Sequence, residues 1–174
     1  PATGKRRTPL PHQDAAVNAW LSQGGRGIFE HATGCGKTFT ALMVIRHHIG
    51  RGNPALVVVP SRLLLDQWAS EIKDELPEAA LLLAGSGNNA GRAPHRLKGM
   101  TGGDTAHGGR IVLATMQTAS MDGFRDAVID GDHLLLVADE VHQIGSPQHA
   151  RIMKLDAGSR LGLSATPVRY GDPE

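Results

Sequence analysis

Cysteine and aromatic residues are both scarce in this sequence, and each scarcity excludes something. The single thiol, Cys35, has no partner for an internal disulfide. No N-terminal stretch joins a charged start to an apolar run and a small-residue cleavage site, so an intracellular, cytoplasmic location is expected. Two tryptophans, one tyrosine and three phenylalanines, beside 22 glycines, point to tight turns and close backbone approaches rather than bulky cores. Excess charge is lacking as well: a net +1 excludes the global basic field of a protein that coats nucleic acid. Long apolar runs are missing, the longest candidates being Ala55 to Val59 and Leu134 to Ala138, far short of the roughly 18 residues that cross a bilayer. No membrane is expected among the partners.

What is present is a globular composition, 40% hydrophobic and 20% charged over 174 residues. A single domain of this size buries about 70% of its unfolded surface and needs no covalent staples. Local basic clusters at Lys5, Arg6 and Arg7 and at Arg92, His95, Arg96 and Lys98 read as solvated faces. The histidines, His31, His47 and His48 among them, show no zinc-ligand spacing.

Short apolar runs alternate with helical patterns. Residues 27–30, 55–59, 79–84, 111–115, 134–138 and 160–163 read as strands covered on both faces. Residues 37–49, 63–76 (with Ser61 as N-cap), 121–129 and 148–155 read as helices, and the alternation predicts a parallel α/β sheet. Ala16, Val17, Trp20 and Leu21 form one apolar face of a leading helix that starts near Gln13 and packs on the sheet edge. From Gly85 to Gly109 the composition predicts a mobile surface loop holding one helical turn around Arg96 to Met100.

Two segments carry chemistry. Ala32-Thr33-Gly34-Cys35-Gly36-Lys37-Thr38 follows a predicted strand and opens a predicted helix, the context of a phosphate-binding loop. Gly34 and Gly36 let successive N–H groups turn inward, the helix N-terminus adds positive potential, Lys37 reaches the β- and γ-phosphates, and Thr38 offers a hydroxyl to Mg²⁺. Ala32 stands where the full pattern has glycine, and Cys35 reads as a small filler. Further on, the apolar run Leu134 to Ala138 delivers Asp139 and Glu140 to the C-terminal end of a buried strand, where open α/β sheets bind ligands. Mg²⁺ is the expected partner of Asp139, Glu140 is placed to deprotonate a water, and His142 lies two residues beyond. Alone, Asp-Glu after a strand reads as an ordinary turn. Its pairing with the phosphate loop changes that reading.

With these motifs in order, the sequence resembles the DExH-box helicases of superfamily two over nearly its whole length. Leu10-Pro11-His12-Gln13 is similar to the family's adenine site, with Gln13 as the base-reading residue, and Ala32 to Thr38 is similar to motif I, whose loop tolerates the alanine. Val59-Pro60-Ser61-Arg62, followed by Leu65, Gln67 and Trp68, resembles motif Ia, and Ala114-Thr115-Met116-Gln117-Thr118 resembles the segment that touches the nucleic-acid backbone. Asp139-Glu140-Val141-His142 is similar to motif II and Ser164-Ala165-Thr166-Pro167 to motif III. In isolation Pro60–Ser61 and Thr115–Gln117 read as strand ends that cap helices, and Ser164–Thr166 as a polar turn.

The resemblance implies a RecA-like P-loop NTPase fold, α/β, with a mostly parallel sheet and helices on both faces. It implies ATP and Mg²⁺ as cofactors: Gln13, Thr33, Gly34, Cys35, Gly36, Lys37 and Thr38 would hold nucleotide, Thr38 and Asp139 the metal, and Lys37, Asp139, Glu140 and His142 would serve catalysis. Pro60, Ser61, Arg62, Thr115 and Gln117 would contact nucleic acid, and Ser164 and Thr166 would couple the two activities. The wording of Arg26 to Glu30, and of Gly162 to Pro167 followed by Arg169-Tyr170-Gly171-Asp172, is most similar to bacterial proteins akin to excision-repair helicases and restriction-enzyme motor subunits. DNA is therefore favoured over RNA as the track.

On this resemblance, residues 1–174 are expected to be an N-terminal RecA-like lobe, with residues 1–26 as its glutamine-motif extension. Motifs IV to VI and the arginine finger, expected on a second lobe, do not occur before Glu174, so the lobe alone is expected to bind nucleotide weakly and turn over little. The expected function is that of an ATP-driven DNA helicase or translocase. An RNA-remodelling ATPase is one alternative. A nucleotide-gated interaction module without motor activity is another, disfavoured by the intact Lys37, Asp139 and Glu140.

Overall fold

A computed structural model describes residues 8–30, 34–85, 87, 93–103, 109–140 and 146–164. The elements alternate along the chain: α1 (Pro11–Ser22), β1 (Arg26–Glu30), α2 (Gly34–Ile49), β2 (Ala55–Val59), α3 (Arg62–Glu75), β3 (Ala80–Ala84), α4 (Pro94–Thr101), β4 (Arg110–Thr115), α5 (Met116–Ala119), α6 (Asp122–Ala127), β5 (Gly131–Ala138), α7 (Pro147–Ile152) and β6 (Ala157–Ser164). The six strands form one sheet in the order β1-β6-β5-β2-β4-β3, and every pairing is parallel.

Handedness divides the helices between the faces. From β1 to β2 to β3 the chain steps across the sheet in one direction, and from β3 through β4 and β5 to β6 it steps back. Right-handed crossovers then put α2 and α3 on one face and α4 to α7 on the other. The strand residues obey the same division. Ala55, Val57, Val59, Ile111, Leu113, Leu135 and Val137 join a core with Leu42, Ile45, Trp68 and Ile72, whereas Leu56, Val58, Val112, Ala114, Leu134 and Leu136 pack with Leu97, Phe124 and Ile152. Both faces are covered, which is why these strands read as continuous apolar runs.

The leading helix starts at Pro11, two residues before the predicted position, and packs on α2 and the edge strand β1 through Val17 and Trp20. Leu21 is exposed instead, and Gln13 takes a buried place on the inner face. Ser61 caps α3 as predicted, accepting from Leu64 N at 3.3 Å.

One expectation is extended. The helical turn predicted around Arg96 to Met100 is a two-turn helix, α4, whose Leu97 and Thr101 are fully buried. Thr101 Oγ1 accepts from Ile129 N at 2.8 Å and so ties α4 to the segment before β5. His95, Arg96 and Lys98 of the basic cluster are exposed on its outer side, as a solvated face should be. The anchor rests on few apolar residues in a glycine-rich stretch, too short a pattern for periodicity to register. β6 also runs longer than predicted, from Ala157, because Gly158 permits an approach to the Asp132 carbonyl that any Cβ would block at 2.0 Å.

Candidate nucleotide and metal site

All six strands are parallel, so their C-terminal ends lie on one edge. At that edge α2 begins directly after β1, and its first turn carries Gly34, Cys35, Gly36 and Lys37. Asp139 and Glu140 follow β5, with β6 lying between the two strands. Asp139 N donates to Val58 O at 2.9 Å, which fixes the carboxylate's backbone to β2 as well.

Lys37 and the two carboxylates, about a hundred residues apart in sequence, meet. The ammonium lies 2.9 Å from Asp139 Oδ1 and 2.9 Å from Glu140 Oε1, and the side chains of Lys37 and Asp139 are almost wholly buried. Burial alone would lower the Lys37 pKa. Hydrogen bonds to Glu140 and Asp139, with their negative charge, outweigh that effect and hold the ammonium above its ordinary value.

Asp139 is held on both oxygens. Oδ1 accepts from Glu140 N at 2.8 Å, and Oδ2 accepts from the Trp68 indole N–H at 2.9 Å. Glu140 occupies the left-handed region at φ +59°, a conformation that costs a non-glycine residue about 1 kcal/mol and that turns its carboxylate back toward Lys37.

The donor set fits a hard divalent cation. It offers carboxylate oxygens from Asp139 and Glu140 and the hydroxyl of Thr38, the residue after Lys37. One ammonium against two carboxylates leaves an excess negative charge, and the ammonium already fills a cation's position between them.

Gln13 belongs to the same neighbourhood. Its Oε1 accepts from Leu10 N at 2.9 Å, and its Nε2 lies 3.5 Å from Gly36 O, at the start of α2. Gly36 O also accepts from Thr40 Oγ1 at 2.7 Å.

Residues 6–169 match the family described as type III restriction enzyme, res subunit (ResIII). The chain belongs to this family. This ResIII chain is 34% identical over 161 residues to the Rad25 protein of Haloarcula marismortui, named as a DNA 3'-5' helicase; the match covers 88% of the chain and 22% of the relative. It is 32% identical over 153 residues to QP509L of African swine fever virus, named as an ATP-dependent RNA helicase, covering 87% of the chain and 27% of the relative. In structure it is similar to the SWI2/SNF2 ATPase core of Sulfolobus solfataricus, solved in complex with dsDNA, with a TM-score of 0.69, 17% identity and coverage of 94% of this chain and 33% of that one. The RecA-like fold is thereby shown. The chain spans about a quarter of the length of the curated relatives it matches.

A second group of residues named from the ResIII sequence lies along the same edge. β2 and β4 are neighbours with Val59 opposite Thr115, so the turns after both strands lie side by side. Pro60, Ser61 and Arg62 form one and Thr115 to Gln117 the other, with Ser61, Arg62 and Gln117 exposed. Thr115 itself is buried: it caps α5, accepting from Thr118 N at 3.4 Å and donating to Thr118 Oγ1 at 3.2 Å. Gly85, at the end of β3, closes over this cap at φ +98°, where a Cβ would stand 2.4 Å from Thr115 Oγ1. Ser164 is buried at the end of β6, opposite Glu30, on the strand that lies between β1 and β5. Thr33, His142 and Thr166, and the side chain of Cys35, lie outside the described residues.

Sequence reasoning named Trp68 only as part of a motif and missed its bond to Asp139. The available signal was its position beside Leu65, Ala69 and Ile72 on the inner face of α3. Among the described residues, no helix is long and apolar enough to cross a membrane.

Proposed function

We propose that this chain is the ATP-binding lobe of an ATP-dependent DNA helicase or translocase that hydrolyses ATP when joined to a second RecA-like lobe. The observation that carries the reading is the convergence of Lys37, Asp139 and Glu140 at the C-terminal edge of the sheet, beside the N-terminus of α2. The backbone N–H groups of Gly34 to Lys37 would cradle the phosphates, and Lys37 would leave the carboxylates to pair with them. Thr38 and Asp139 would hold Mg²⁺, whose charge neutralises the phosphate oxygens when bound. Released from Lys37, the Glu140 carboxylate would accept a proton from the attacking water, and His142 would report the γ-phosphate to its neighbours. Gln13, beside Gly36, is suited to read the base.

The exposed Ser61, Arg62 and Gln117, together with Pro60 and the cap of Thr115, would follow a nucleic-acid backbone, and Ser164 and Thr166 would link it to the nucleotide. Such contacts are independent of base identity, so binding should weaken with salt. DNA is favoured by the wording of the motifs and by a relative named as a DNA helicase; a cytoplasmic place of action accords with this reading. A relative named as an RNA helicase supports a second reading, an RNA-remodelling ATPase. Stimulation of the full-length ATPase by single-stranded DNA, duplex DNA and RNA separates the two.

The primary test is calorimetric titration of the chain with an Mg²⁺-bound, non-hydrolysable ATP analogue, alongside Lys37→Ala. Binding that disappears in the variant supports the reading. Equal affinity in a folded variant would sink it.

A further inference from the structure

The grip on Asp139 comes from two directions. Lys37 and the amide of Glu140 bind Oδ1 and belong to the nucleotide motifs; the donor to Oδ2 is Trp68, from the middle of α3. A buried indole N–H needs some acceptor. The other tryptophan, Trp20, uses a backbone carbonyl, that of Arg160 at 3.0 Å. Trp68 instead engages the carboxylate that the proposed chemistry depends on, at 2.9 Å, with its ring 1% exposed and packed in the core.

The helix that carries Trp68 begins at the proposed track. Ser61 caps α3 and Arg62 opens it, and Trp68 follows two turns later, about 10 Å along the axis. A helix transmits displacement along its length. A slide of about 0.5 Å would take this bond past the roughly 3.2 Å at which N–H···O bonds fade.

We propose that Trp68 is a positioning residue for Asp139, and that α3 is the link by which backbone contact at Ser61 and Arg62 reaches the metal-binding carboxylate. The inference rests on the ATPase reading above. Trp68 orients one carboxylate oxygen and leaves the other for the cation; when α3 shifts on nucleic acid, the carboxylate shifts with it.

Trp68→Phe removes the N–H and keeps most of the ring. Binding of a fluorescent ATP analogue by the chain is measured across a Mg²⁺ titration and in EDTA, together with the melting temperature. The ratio of Mg²⁺-supported to metal-free affinity is expected to fall by about 10- to 100-fold, the usual effect of losing a partner that orients a metal ligand. An unchanged ratio in a folded variant overturns the positioning role. If the variant does not fold, Trp20→Phe leaves Trp68 as the sole tryptophan, and its emission must change when Mg²⁺ is added to the nucleotide complex. Silent emission overturns the proposal. In the full-length enzyme, Trp68→Phe should lower nucleic-acid stimulation by a larger factor than unstimulated turnover, and an equal loss of both overturns the link through α3. Absence of any Lys37-dependent nucleotide binding by the wild type would instead fail the ATPase reading, and the inference with it.

Discussion

Replacing Lys37 with alanine should unsettle the fold before any nucleotide is added. The ammonium stands 2.9 Å from an oxygen of each of two carboxylates, one on a side chain 1% exposed and the other on one 18% exposed. Without it, two like charges lie roughly 5 Å apart, a repulsion of about 3 kcal/mol at an effective dielectric near 20. Removing one member of a buried ion pair costs about 3–5 kcal/mol by direct comparison, and the partial exposure of Glu140 argues for the lower end. A loss of about 3 kcal/mol lowers the melting temperature of a domain this size by about 6–12 °C.

The same logic gives the variant a signature. In the wild type, the lysine already fills the cation position; in Lys37→Ala it does not, so Mg²⁺ alone should restore more of the melting temperature in the variant than it adds to the wild type. Thermal melts with and without Mg²⁺ measure both effects. A variant that melts within about 2 °C of the wild type and ignores Mg²⁺ would refute the reasoning. The pKa of Lys37 is raised on folding, so its contribution is fully present below the unfolded value of about 10.4 and is lost only as pH rises through the higher folded value. Ordinary buffers near neutrality therefore report the complete ion pair.

Glu140→Gln keeps the Lys37–Asp139 pair; it should hold nucleotide affinity within a few-fold while lowering full-length ATP turnover by about 100-fold or more, as single-turnover kinetics would show. Gly85→Ala places a Cβ 2.4 Å from Thr115 Oγ1 and 2.7 Å from Thr118 Oγ1 at φ +98°, and should cost about 2 kcal/mol in urea unfolding. His48 is buried, and burial pushes its pKa below the ordinary value despite hydrogen bonds to the His133 and Pro54 carbonyls. Its contribution is therefore present above the unfolded pKa of about 6.5 and is lost as pH falls from there through the folded value, so the urea midpoint should drop between pH 8 and pH 5, and less so in His48→Gln.

Most of the sheet was legible because its strands are buried on both faces. Ala55–Val59 was read residue for residue from an unbroken β-branched and apolar run. β6 was read too short because Gly158 and Ser159 interrupt its apolar pattern ahead of Arg160, and only the close approach to Asp132 explains the glycine. The phosphate loop and the carboxylate pair were legible as motifs. Their joint closure on Lys37 was not, since an ion pair between residues a hundred positions apart leaves no local trace. The capping role of Thr115 was anticipated as its plainer reading, and its burial, with that of Met116 and Thr118, narrows the outward-facing polar groups of that turn to Gln117. Trp68 and Asp139 are 71 residues apart, and a tryptophan on an apolar helix face reads as core whether or not its N–H has a charged acceptor.

The parallel sheet also explains why a costly cluster of charge is placed where it is. β5 is buried from Leu134 to its end at Ala138, so a carboxylate that follows it leaves water whatever its function, and without a donor Asp139 would oppose folding. The fold supplies both donors from the same limb of the chain's path across the sheet: Lys37 from the helix after the edge strand β1, and Trp68 from the helix after the central strand β2. Both helices lie on the same face because both crossovers run the same way and share one hand. Any ligand that draws Lys37 away leaves the indole as the remaining side-chain hydrogen-bond donor to Asp139 among the described contacts. On the proposed function, exchange of lysine for phosphate would concentrate dependence on α3, and α3 is the helix whose exposed first turn faces outward beside Gln117.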